Sequence, residues 1–129
     1  MSKSYCSLGL MSGTSGDGID ASIIASDGKN QYESIIDRYF KYNHEIIDNI
    51  HGLKDKVANN PKKLIELSNE VSSLEEKITL FHAEVVNQIL PETQKVIDFV
   101  GFHGQTILHS PLNKITKQLG DGKLLSKLT

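Results

Sequence analysis

An α/β fold is what this sequence predicts, and three observations carry the prediction. Before His44 lie three segments rich in Ile, Tyr and Phe, separated by glycine-containing turns. From His44 to Pro91 the apolar residues change to a helical period. Beyond Pro91 the chain returns to β-branched and aromatic residues. The order β-β-β-α-α-β describes mixed α/β architecture with hairpins on one side. With 129 residues and no internal repeat or linker-like stretch, one domain spanning 1–129 is expected.

Each element has its own signal. Tyr5 to Met11 is a short mixed strand that ends in a glycine-rich turn. Ile19 to Ser26 (IDASIIAS) is the second strand, punctuated by Asp27-Gly28. Tyr32 to Tyr42 (YESIIDRYFKY) carries the third. From His44 to Val57, Ile46, Ile47, Ile50, Leu53 and Val57 recur at helical spacing. Asn59-Asn60-Pro61 separates that helix from the next, with Asn60 as N-cap and Pro61 in the first helical position. The second helix is long, because Leu64, Leu67, Val71, Leu74, Ile78, Phe81 and Val85 alternate in steps of three and four. Ser73 and Glu76 match a capping box, which would break the helix near Ser72. Val96 to Phe102 (VIDFVGF) reads as a strand, ITKQLGDG as a strand and turn, and KLLSKLT as the start of a helix.

Composition narrows the function classes. Hydrophobic residues at 38% beside 23% charged residues describe a globular chain, neither disordered nor membrane-like. A net charge of −2 with aromatics at 6% lacks the basic, aromatic-interleaved surface of a nucleic-acid binder. The single Cys6 forms no intrachain disulfide, as suits a reducing compartment. Lys3 is followed by no apolar signal core, and no stretch has the roughly 20 apolar residues of a span. A soluble cytoplasmic domain is expected, with neither nucleic acid nor membrane as partner.

Two polar clusters stand out. The first is MSGTSGDGID, residues 11–20. Its glycines permit positive φ and close backbone approach to a ligand. Ser12, Thr14 and Ser15 carry hydroxyl donors suited to phosphate, and the Asp17 and Asp20 carboxylates suit a hydrated Mg²⁺ beside one. Gly13 and Gly18 have the spacing of a Walker loop, but Ile19 stands where its lysine belongs, and a strand follows instead of a helix. The segment is thus either a phosphate loop of the hairpin type or an elaborate turn. The second cluster is His103-Gly104-Gln105-Thr106, at the end of a strand, where α/β sheets present ligands. Gln105 and Thr106 offer hydrogen bonds suited to a sugar or amide. His103 and His109 have no nearby Cys, Asp or Glu to complete a metal set. His44, His51, His82 and the lysines at 54, 56, 62 and 63 read as helix-face residues.

Taken together, LGLMSGTSGDGIDASI and VGFHGQTILHSP, with LFHAEVVNQIL between them and QLGDGKLL after, resemble the anhydro-N-acetylmuramic acid kinases. The resemblance spans nearly the whole chain. It implies the actin, sugar-kinase and Hsp70 type of ATPase fold, whose ribonuclease H-like N-terminal domain begins with a three-stranded antiparallel meander followed by helices and a further strand. It implies that Gly13, Thr14, Ser15, Gly16, Asp17, Gly18, Ile19 and Asp20 form the ATP-binding stretch, with Asp17 and Asp20 near Mg²⁺ through water. His103, Gly104, Gln105 and Thr106 would lie by the anhydro-amino sugar. The family cleaves the 1,6-anhydro bridge and phosphorylates O6, yielding N-acetylmuramic acid 6-phosphate in cell-wall recycling.

Two departures from the family pattern follow. Gly16 replaces a bulky apolar residue, which implies a looser loop. The catalytic aspartate of the family's D-F-R-x-x-D motif is absent from these residues, so no catalytic residue is assigned and a truncated N-terminal portion, inactive alone and without its second lobe, is expected. The rival expectations are a non-catalytic interaction domain dimerising through helix 61–90, pairing with a separate C-terminal half, or another sugar kinase of the same superfamily.

Overall fold

Alternation along the first three strands dictates the centre of the molecule, a four-stranded sheet with one buried and one open face. The computed structural model describes residues 4–58, 60–110, 112 and 114–129; Lys3, Asn59 and Pro111 lie outside the described residues. β1 (Tyr5–Ser12) pairs antiparallel with β2 (Gly18–Ser26), and β2 pairs antiparallel with β3 (Tyr32–Lys41). β4 (Phe99–Phe102) adds to the other side of β1 in parallel, giving the order β3-β2-β1-β4. Opposed pairs Leu8–Ile23, Leu10–Ala21 and Ser12–Ile19 all point to the inner face, where every one of these residues is buried. A period of two puts Met11, Asp20 and Ser22 on the opposite face.

Two helices cover the inner face. α1 (His44–Ala58) buries Ile46, Ile50, Leu53 and Val57, and the Asn43 side chain accepts from the Ile46 N–H at its start. α3 (Ser68–Ile89) buries Val71, Leu74, Ile78, Val85, Val86 and Ile89. The alternating three-four stripe of α3 is thus spent on the chain's own core, with Leu64, Leu67 and Phe81 packed against its edge. Most of that stripe therefore packs within the chain itself, while Ile65 and Leu80 of the same stretch are exposed.

Several boundaries differ from the expectation. The helix does not break near Ser72: α3 runs through Ser73, and the interruption falls at Leu67, between α3 and the short α2 (Lys63–Glu66). Leu67 has φ −98° and ψ 24°, outside helical values, and the Ser73 hydroxyl has no capping role inside a continuous helix. Asn60 does accept from the Lys62 N–H, at 3.2 Å, ahead of α2. β4 starts at Phe99, not Val96, and is anchored by a 2.8 Å bond from the Asp98 N–H to the Cys6 carbonyl. A strand that the sequence did not suggest, β5 (Gln105–Ser110), pairs antiparallel with β6 (Ile115–Leu119) in a separate two-stranded sheet. Last comes α4 (Gly122–Leu128), whose N-cap Asp121 accepts from the Leu124 N–H. No helix among the described residues is long and apolar enough to cross a membrane.

Candidate functional site

The connection between β1 and β2 is built from the inside outward. Its backbone closes in a turn, the Gly16 N–H donating to the Gly13 carbonyl at 3.2 Å. Gly16 has φ +71°, and a Cβ there would lie 2.8 Å from Ile50 Cγ2. The residue is buried against α1, so this glycine seats the loop on the helix instead of loosening it. At the other end, a Cβ on Gly18 would lie 2.4 Å from the Phe40 carbonyl, which restricts that position to glycine.

Three loop carbonyls are engaged by the protein. The Gly13 carbonyl accepts from Gln105 Nε2 at 2.8 Å, the Thr14 carbonyl from the Lys54 ammonium, and the Asp17 carbonyl from the Tyr42 N–H at 2.9 Å. By contrast, the N–H groups of Thr14, Ser15 and Asp17 have no partner among the described residues. Thr14, Ser15 and Asp17 are themselves exposed. A short run of unpartnered N–H groups beside a positive-φ glycine, with its carbonyls turned away, is a concavity suited to an anion.

Gln105 brings the second cluster to this loop across a separation of 92 residues. Its side chain is fully buried, donating also to the Thr106 carbonyl at 3.2 Å while its Oε1 accepts from the Tyr42 hydroxyl at 3.3 Å. Both ends of the carboxamide are therefore committed within the protein. His103 is exposed and Thr106 half-buried, the Thr106 hydroxyl accepting from Gln118 at 3.4 Å. Gly104 has φ +80°, and a Cβ on it would lie 2.3 Å from the Leu119 carbonyl. Gly120 in turn faces the Phe102 ring, and its N–H donates to Glu75 at 3.1 Å. This glycine-on-glycine contact explains why the HGQT and QLGDG segments stand together.

Below the loop lies a buried chain of polar groups that sequence reasoning missed. The Ser12 hydroxyl stands 3.1 Å from the Tyr42 hydroxyl and 3.3 Å from His82 Nε2. His82 Nδ1 stands 2.8 Å from the Ile78 carbonyl, which can only accept, so Nδ1 carries the proton. Burial pushes the His82 pKa down to about 4, opposed by that carbonyl and reinforced by His103. A neutral ring leaves Nε2 as an acceptor for Ser12. The single Tyr42 proton is then shared between Ser12 Oγ and Gln105 Oε1. Burial raises the Tyr42 hydroxyl to about 12, so it keeps that proton. Among the described residues no buried side-chain polar atom is left without a partner. No single segment signals this network, because its members come from β1, β3's end, α3 and β5.

The remaining candidates sit apart. Asp20 is exposed on the open face of the sheet, across from Met11, whereas Asp17 lies in the loop itself. The two aspartates therefore present from different surfaces. Ile19 is fully buried and serves the core. His109 binds Thr116 at 2.9 Å, and among the described residues no group of three His, Cys, Asp or Glu side chains assembles that could hold a metal. A separate groove of about 470 Å³ runs between β4 and α4, lined by Val100, Phe102 and Leu125 among others.

Comparisons with known proteins agree with one another. The family model described as anhydro-N-acetylmuramic acid kinase matches residues 5–129. A protein of that name from Pelagibacter ubique (strain HTCC1062) is 54% identical over 128 residues, 99% of this chain and 34% of the relative. Its namesake from Brucella canis is 40% identical over 126 residues, 95% of this chain and 33% of the relative. That from Agrobacterium fabrum is 36% identical, covering 100% of this chain and 35% of the relative. The chain thus spans about a third of the length of these curated relatives.

Proposed function

This chain belongs to the anhydro-N-acetylmuramic acid kinase family, and from that premise we propose that it forms the phosphate-holding part of an ATP-dependent kinase acting on 1,6-anhydro-N-acetylmuramic acid. The observation that carries the reading is the loop between β1 and β2. Its carbonyls at Gly13, Thr14 and Asp17 are engaged within the protein, while the Thr14, Ser15 and Asp17 N–H groups remain free to bind nucleotide phosphates. Residues 1–129 would be the ribonuclease H-like N-terminal domain of the actin-type ATPases, which the antiparallel β1-β2-β3 succession supports.

Phosphoryl transfer asks the protein mainly for positioning and charge stabilisation. The loop N–H groups and the Thr14 and Ser15 hydroxyls would orient the phosphates. The Lys54 ammonium, beside the Thr14 carbonyl, adds positive charge close to that position. Mg²⁺, when bound with the nucleotide, neutralises charge on the phosphate oxygens. Asp17, exposed in the loop, would hold it through water, whereas Asp20 faces the open side of the sheet. Of the second motif, His103 and Thr106 have surface to offer the sugar, whereas Gly104 is buried against Leu119 and Gly120. The general base that activates water would come from the part of the family's length beyond this span.

A chimera tests this assignment. Residues 1–129 would replace the matching third of the Pelagibacter ubique relative, and ATP, Mg²⁺ and the anhydro-sugar would be supplied. The expected product is N-acetylmuramic acid 6-phosphate. A folded chimera that makes none, beside an active parent, would contradict the reading.

A further inference from the structure

The geometry points to Gln105 as a positioning residue of the β1–β2 loop: its carboxamide, set by the Tyr42 hydroxyl, draws the Gly13 carbonyl inward and so leaves the Thr14 and Ser15 N–H groups free for an anion. A glutamine in the second polar cluster invites assignment to the sugar. Its surroundings say otherwise. Nε2 donates at 2.8 Å to Gly13 and at 3.2 Å to Thr106, and Oε1 accepts from Tyr42. The side chain is fully buried, so no donor remains to reach a ligand.

The orientation of the carboxamide is over-determined. Two carbonyls require the NH₂ end on their side, and a hydroxyl donor requires the oxygen on the other. Tyr42 is in turn held by Ser12 and by edge-on packing of Phe81, the ring centroids 5.1 Å apart. Ser12 is the last residue of β1 and leads directly into the loop. The loop is therefore gripped at Gly13 through a buried side chain whose own position is fixed from α3 and the end of β3. Hydrogen bonds of this kind are costly to break singly, because each leaves a buried partner unmatched. This arrangement makes the second motif a prop for the first, so that order in the loop depends on a strand more than ninety residues away.

The test uses the 129-residue chain in two variants. Gln105→Met keeps length and apolar volume but has no amide; Tyr42→Phe removes only the hydroxyl that sets it. Backbone relaxation by NMR on isotope-labelled protein reads loop order without any ligand, and titration with inorganic tripolyphosphate reads anion affinity. In Gln105→Met, order parameters at Thr14 and Ser15 fall below about 0.6 while the β1–β2 ladder and α3 hold native values. Tripolyphosphate then binds about tenfold more weakly, in proportion to the lost population of ordered loop. Tyr42→Phe moves both readouts in the same direction, by about threefold in affinity. Loop order unchanged in both variants overturns the inference, as does disorder spread evenly through the core, which is what a merely structural amide would give. Should Gln105→Met fail to fold, Tyr42→Phe decides alone on the same criterion. The affinity readout rests on the phosphate-loop reading: wild-type chain that binds no tripolyphosphate defeats that reading, whereas the relaxation data still decide the role of Gln105.

Discussion

The loop at 13–17 and the segment at 103–106 are both polar, both contain glycine and both sit at strand ends, yet they face opposite ways. The first keeps its side chains and several N–H groups at the surface. The second sends its glutamine into the interior, where it closes on the carbonyl of the first. What separates them is not composition but neighbours. Gly13–Asp17 connects two strands at the rim of the sheet, with α1 beneath it at Ile50. Gly104 is pressed against Leu119 and Gly120, and that contact turns the next side chain inward. Similar residues thus stand at the surface in one place and are buried against that loop in the other.

The sharpest way to break the supporting region is at Gly104. Its φ of +80° and the 2.3 Å approach of a Cβ to the Leu119 carbonyl leave no room for a side chain. Gly104→Ala is expected to cost about 3 kcal/mol or more, from left-handed strain together with a backbone clash. Urea unfolding measures it, and a loss under about 1 kcal/mol would mean that the β4–β5 corner adapts.

A second prediction concerns the buried polar chain that links the two regions. His82 has its pKa lowered to about 4 by burial, from an ordinary 6.5. The unfolded chain therefore binds a proton at higher pH than the folded one does. The stabilisation is complete above pH 6.5 and is lost as pH falls from there towards about 4. Between these limits stability declines by about 1.4 kcal/mol per pH unit from this residue. Denaturant midpoints at several pH values should show the decline in wild type and a flatter line in His82→Leu. An equal slope in both would remove His82 from the account.

Much of the scaffold was legible in the sequence. The first three strands and α1 were read to within one residue at each end, because apolar alternation and helical spacing act over short distances. Family membership was legible too, from two motifs in order. β5 was hidden because Gln105-Thr106 looked like ligand chemistry, although Ile107 and Leu108 belong to the core. The helix break was misplaced because Ser73 and Glu76 imitate a cap, whereas packing of Val71 and Leu74 on the core carries the helix straight through. Most telling is Gln105. Its residue type suggested a sugar contact, and only the three-dimensional closeness of Gly13 and Tyr42 gives it another partner set. Local pattern reveals which residues are polar; it does not reveal which of them are already satisfied.

The central claim is that the β1–β2 loop presents its N–H groups to nucleotide phosphate. Titrating Mg²⁺-ATP into the isotope-labelled chain and following backbone amides by NMR tests it most directly. Saturable shifts gathered at Thr14, Ser15, Gly16 and Asp17 are the predicted result. Loop amides that stay unmoved at ~10 mM nucleotide, a concentration that detects even binding weaker than about −3 kcal/mol, would contradict it. So would shifts that gather instead at Val100, Phe102 and Leu125, in the groove beside α4.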